Sequence, residues 1–319
     1  MKDSIATVSL SGDLREKLEA TAAAGFAGVE IFENDFLSFD GSPRDVGAMI
    51  RDLRMQCVTF QPFRDFEGMP EPQRSRAFDR AERKFDLMQQ LGTDLLLVCS
   101  NVSATSVAGI DRAAADLQAL GERAAARGLR IGFEALAWGR HINDHRDAWE
   151  VVRRVDHPAV GLILDSFHTL SRGLPVDSIG SIPKEKLFLV QVADAPMVDM
   201  DPLQRSRHLR CFPGQGDLPL IPFMDALSAT GYDGFLSLEI FNDQFRGGSA
   251  RRTAIDGRRS LINMRDQVAR LPGKVSADTQ LPSRATCLGV EFIEFTADDQ
   301  SANYLADMFA ALGFEKTGK

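Results

Sequence analysis

Three carboxylates and one amide stand at the ends of four consecutive apolar segments: Glu134 in RIGFEAL, Asp165 in GLILDSFH, Gln191 in LFLVQVAD and Glu239 in LSLEIF. A carboxylate ending a run of Val, Ile, Leu and Phe is costly, because a desolvated charge needs a cation or hydrogen bonds to compensate it. Taken singly, each acid is as well explained by a helix cap or an arginine partner. Taken together, converging acids repel one another, and a divalent cation cancels that repulsion. The set predicts a metal site. Its donors are oxygens, without thiolate or imidazole, which favours Mn2+, Mg2+ or Co2+ over zinc, with manganese or magnesium first.

His168 follows Asp165 by three residues and is the candidate general base, since an imidazole titrates near working pH. The segment RSRHLRCFPGQGDLPL carries His208 and Arg210 ahead of a Pro-Gly turn. A guanidinium there suits a bidentate grip on a carboxylate or phosphate, so a small anionic substrate is expected, with Arg210, His208 and Arg64 as its binding residues. For Arg64, in TFQPFRDF, a surface salt bridge is an equal alternative. Glu30 and Glu33 are weaker candidates, for holding hydroxyls or arginines. His141 and His145, in WGRHINDH, are explained as well by a polar loop.

To bring these groups together, the strand ends must meet on one face. Apolar segments alternate with helical periodicity eight times, and strands are expected over 4–10, 28–32, 56–61, 94–99, 129–134, 160–165, 187–192 and 235–240. Between them, DLREKLEATAAAG, QRSRAFDRAERKFDLMQQLG and AAADLQALGERAAARG read as crossover helices closed by glycine. Eight such units, with no GxGxxG after the first strand, predict a closed (β/α)8 TIM barrel rather than an open doubly wound sheet. Its active face lies at the carboxyl ends of the strands, where the four groups fall.

The barrel is expected over residues 1–271. A Pro-, Ser- and Thr-rich stretch, 272–286, reads as a linker. Residues 287–319 then hold a strand at 287–295 and a helix at 301–312, too little to form a core, and read as the truncated start of a second α+β domain.

Composition limits the partners. The 319 residues carry 37 basic and 45 acidic side chains, a net charge of −8, which disfavours nucleic acid. No apolar run approaches the roughly 20 residues of a membrane span. The four cysteines form no CxxC pair and the N-terminal segment lacks the pattern of a secretory signal, so a cytoplasmic location is expected. A homo-oligomer is left open.

The strand-end Glu134, the D-S-F-H run from Asp165 to His168, VQVADAP with Gln191 and Asp194, the R-C-F-P-G-Q-G turn from Arg210 and Glu239 together resemble the xylose-isomerase-like superfamily of metal-dependent barrels. The resemblance spans residues 1–270. Gln191 stands where many members of that superfamily have histidine, so their metal preference does not transfer. The five histidines are too few for the multinuclear zinc set of its apurinic endonucleases. Within the superfamily, the chain is similar to bacterial 3-dehydroshikimate dehydratases of quinate and shikimate catabolism. The similarity is to their long form, in which a vicinal-oxygen-chelate region resembling hydroxyphenylpyruvate dioxygenase follows the barrel, as GVEFIEFTADDQ does here. That resemblance implies a lyase that converts 3-dehydroshikimate to protocatechuate through a metal-stabilised enolate, with His168 removing the C4 proton. Alternatives are a sugar or hydroxypyruvate isomerase or epimerase, and a non-catalytic hydroxy-acid-binding module.

Overall fold

A computed structural model describes residues 1–274, 281–282 and 285–318, and the chain divides into two units, Met1–Thr279 and Gln280–Lys319. The first is a ring of eight parallel strands: β1 (Lys2–Ala6), β2 (Gly28–Phe32), β3 (Gln56–Phe63), β4 (Leu95–Cys99), β5 (Arg130–Glu134), β6 (Val160–Asp165), β7 (Leu187–Val192) and β8 (Phe235–Leu238). Each strand pairs with its sequence neighbour, and β8 closes on β1, as expected for the (β/α)8 barrel.

Side chains that alternate along the strands build two apolar layers. Leu95, Leu97 and Cys99 of β4 join Val58, Ile163 and Leu189 in a small inner cluster, while Leu96, Val98, Ile131, Phe133 and Leu162 pack outward with Phe85, Leu117 and Val151 of the surrounding helices. Strands buried on both faces read as continuous apolar runs, which is why they stand out in the sequence. Inside the ring, Gly132 leaves room for Ile163: a Cβ at 132 would lie 2.5 Å from the Ile163 Cδ1.

The helices follow their local signals. Asp13 and Glu16 reciprocally cap Leu14–Ala23, and Gly92, at φ 84°, ends Gln73–Leu91 in the left-handed conformation that glycine adopts freely. The third expected helix is Ile110–Ala125.

Three strand ends differ from expectation: β3 runs two residues further, to Phe63, and two others stop early. β1 stops at Ala6 rather than residue 10, because Thr7–Ser9 forms a buried 3-10 turn whose hydroxyls take over the sheet's backbone partners. Phe32 N–H donates to Thr7 Oγ1 (3.0 Å) and Ile240 N–H to Ser9 Oγ (2.9 Å). The second contact ends β8 at Leu238, two residues early.

In the second unit, Asp298 caps a helix over Asp299–Ala311, accepting from Ser301 N–H at 2.8 Å. No strand forms over 287–295 among the described residues. A strand needs a neighbour to pair its backbone, and the described residues of this unit supply none. Leu288, Val290, Phe292 and Ile293 are exposed. Much of the expected linker, at 275–280 and 283–284, lies outside the described residues. No helix among the described residues is long and apolar enough to cross a membrane.

Candidate active site

The barrel register carries the four predicted oxygen donors to adjoining positions. Glu134 ends β5 and Asp165 ends β6; Asp165 pairs in register with Gln191 of β7, and Glu239 follows β8 directly. All four are buried. Glu134, Asp165 and His168 each offer one ligand atom, and these atoms lie within 4.8 Å of one another. This buried triad is a place where a divalent ion can be held, with the imidazole either beside the ion or on it. The triad includes the imidazole that the sequence reading had assigned to proton transfer alone.

The donor chemistry fits an ion. Glu134 Oε1 and Gln191 Oε1 are buried with no hydrogen-bond partner, an unfavourable condition for two oxygens unless something cationic faces them. Burial drives the Glu134 carboxyl well above its ordinary range, with Glu239 and Asp165 adding repulsion. Asp165 is raised too, chiefly by burial, against the opposing pull of Arg210. Such carboxyl groups release their proton when a cation takes its place.

Arg210 lies among these acids and is essentially inaccessible. Its Nη1 donates to Asp165 Oδ2 (2.7 Å) and to Glu239 Oε2 (2.8 Å), while Nε and Nη2 donate to Ser206 Oγ (3.1 and 2.9 Å). Although burial disfavours its charge, Asp165 and Glu239 hold Arg210 above its ordinary value. Its donors are thus occupied by the protein's own acceptors.

His168 is tightly enclosed. Its Nδ1 lies 3.1 Å from Ala137 N–H, and its Nε2 lies 3.3 Å from Arg210 Nη2 and 3.6 Å from Asp165 Oδ2. Trp138 and Phe167 pack edge-on against the ring. Burial first, and Arg210 second, push its pKa well below 6.5, so the imidazole stays without an added proton at neutral pH.

The mouth of the site is cationic. Arg64 and Arg207 line it together with Trp138 and Phe241. Arg207 lies 4.6 Å over the Phe241 ring and 5.7 Å over Trp138. Burial, then Arg64, lowers its pKa. Neither Arg64 nor Arg207 has a carboxylate within ion-pair distance among the described residues. His208, by contrast, is exposed and pairs with Asp243 at 2.7 Å, outside the lining. Glu33 pairs with Lys84 rather than with an arginine, and Glu30 holds the amides of Gln61 and Gln191. His141 reaches the Ser106 carbonyl and His145 the Ser178 hydroxyl.

The loop after Arg210 is anchored by Asp194. Its Oδ1 accepts from Ala195 and Leu218 N–H (2.9 and 3.0 Å), and its Oδ2 from Gly214 and Gly216 N–H (2.9 and 3.0 Å). A Cβ at Gly216 would strike the Ala195 backbone at 2.6 Å, so only glycine permits this approach.

Sequence reasoning missed Gln61, Ser206 and Arg207. Ser206 lies in the last turn of the helix Pro202–His208 and Arg210 two residues beyond its end, so no helical spacing signalled their pairing.

Residues 18–264 match the xylose isomerase-like TIM barrel family. The chain belongs to that family. Over an alignment of 325 residues it is 53% identical to the 3-dehydroshikimate dehydratase of Pseudomonas aeruginosa, covering 100% of this chain and 51% of that protein. The same figures hold for the 3-dehydroshikimate dehydratase of Pseudomonas putida. The chain thus spans about half the length of these relatives. A solved xylose isomerase-like TIM barrel/4-hydroxyphenylpyruvate dioxygenase fusion protein superposes on 84% of this chain and 43% of its own, at TM-score 0.82 and 58% identity.

Proposed function

We propose that this barrel is a metal-dependent lyase that dehydrates 3-dehydroshikimate to protocatechuate. The observation that carries the reading is the 53% identity, across the whole chain, to two proteins named for that activity. Glu134, Asp165, Gln191 and Glu239 would hold the ion, which supplies Lewis-acid stabilisation of charge developing on the carbonyl oxygen.

His168 then removes the proton at C4, next to that carbonyl, and returns it to the departing C5 hydroxyl, which leaves as water; the resulting dienone becomes the aromatic ring by losing a C6 proton and gaining one on the C3 oxygen. Two donors face the imidazole, yet a neutral ring carries one N–H, so one of these contacts is unreciprocated. A substrate oxygen draws Arg210 Nη2 away from Nε2 and, with the ring hydrogen moved to Nδ1 at the expense of the Ala137 contact, Nε2 is the nitrogen that accepts the proton. This gives Arg210 its substrate-binding role, through whichever donor leaves His168. Arg64 and Arg207 hold the C1 carboxylate, since neither is ion-paired to an acid among the described residues. An anion fixed at the mouth keeps the reacting carbon beside the base.

Residues 287–319 we assign to a vicinal-oxygen-chelate-like domain. The exposed apolar side chains of that segment and the fusion architecture of the similar solved structure support this. The free state of all four cysteines supports a reducing, cytoplasmic setting.

The test is incubation of purified protein with 3-dehydroshikimate and Mn2+, Mg2+ or Co2+, followed by ultraviolet absorbance. An aromatic product is expected. Its absence at every metal loading overturns the assignment, and recovery of an isomer of the substrate instead transfers it to an isomerase.

A further inference from the structure

We infer that Glu30 is a positioning residue that orients the Gln191 amide, so that its carbonyl oxygen and not its nitrogen faces the metal-binding acids. Glu30 lies on β2 and is fully buried, with its side chain reaching across the interior of the ring. Its Oε2 accepts from Gln191 Nε2 at 2.8 Å and from Gln61 Nε2 at 3.2 Å.

A carboxyl oxygen that already accepts two amide N–H groups, as Glu30 Oε2 does, carries no proton itself and so selects the NH2 end of any amide turned towards it. With its nitrogen so committed, Gln191 presents Oε1 away from Glu30, and that oxygen is buried without a partner. An amide nitrogen has no lone pair free for a metal, whereas an amide oxygen does. The half-turn of one side-chain torsion therefore decides whether Gln191 can act as a ligand.

The same carboxylate governs a second donor. Gln61 Nε2 is shared between Glu30 Oε2 and Glu239 Oε1, the latter at 2.9 Å. This fixes one oxygen of Glu239 and leaves the other to Arg210. One buried acid on the far side of the ring thus sets the attitude of two of the four groups at the metal.

The inference rests on the metal reading and is tested without turnover, by Mn2+ titration followed by electron paramagnetic resonance on folded protein. Glu30→Met removes the acceptor at similar volume and should weaken Mn2+ binding about 10- to 100-fold, the usual effect of losing a group that orients a metal ligand. The decisive comparison is with Gln191→Glu. A carboxylate has an oxygen at either end and cannot be turned the wrong way, and it would face Glu30 as a second acid, so adding Glu30→Met to that variant should leave affinity unchanged or raise it, with no loss of about 10- to 100-fold. Should Glu30→Met not fold, Glu30→Ala, which leaves room for water against Gln61, carries the same expectation. Unchanged affinity with Gln191 present, or an equal loss in both backgrounds, overturns the orienting role. Absence of Mn2+ binding by the unsubstituted chain removes the metal reading, and this inference with it.

Discussion

Replacing Asp194 with asparagine isolates what holds the loop after Arg210 in place. The wild-type carboxylate accepts four backbone N–H groups, two on each oxygen, and the side chain is buried. Asparagine keeps one acceptor oxygen, so two of the four N–H groups would face an NH2. Each buried donor left unpaired costs about 1–3 kcal/mol, giving a loss of about 2–6 kcal/mol. The two surviving bonds also lose their charge assistance, which moves the result towards the upper half of that range. Against a total stability of about 5–15 kcal/mol this is a large fraction. Urea unfolding followed by circular dichroism should show a lower midpoint at unchanged slope. Turnover should fall as well, because Arg210 adjoins the loosened segment. A stability loss below about 1 kcal/mol would refute the reasoning, since it would mean the loop holds its shape without the carboxylate.

Further outcomes follow from the site and its surroundings. Burial raises the Glu67 pKa from 4.5 to about 8, so between those values the folded chain keeps a proton that the unfolded chain has lost. The stability linked to that proton is complete below pH 4.5 and falls as pH rises through 8, by up to about 1.4 kcal/mol per pH unit, and Glu67→Gln should flatten the measured profile. Arg64→Ala and Arg207→Ala should each raise KM about 10- to 100-fold, the worth of a charge-assisted hydrogen bond, with kcat less affected. An equal KM rise for a substrate analogue lacking the carboxylate would argue against an anion site. His168→Ala should abolish turnover while Mn2+ remains bound, whereas Glu239→Gln should lower metal content; loss of metal in the His168 variant would make that imidazole a ligand rather than the base.

The barrel was legible because its strands are buried on both faces and its helices carry their own stop signals, as at Gly92. Glu134 and Asp165 were legible for a related reason: an acid closing an apolar run contradicts its surroundings. Arg207 gave no such contrast, since an arginine in a polar segment looks the same whether it faces solvent or lies over Phe241. Gln61 was equally silent, because its importance lies in a partner 178 residues away. The packing of Arg210 between Asp165 and Glu239 depends on distances that only the closed ring creates. The strand expected at 287–295 failed on the same principle, for a β-rich sequence becomes a strand only where another backbone meets it.

The inner cluster of Leu97, Ile163 and Leu189, fitted around the bare backbone of Gly132, forms a foundation beneath the acids that takes no part in chemistry. Laboratory evolution could therefore exchange the crown of side chains above it, one strand tip at a time, without rebuilding the cylinder. The freedom has a boundary at position 132, where even a methyl group would press on Ile163, so selection for new catalysts should leave that glycine untouched.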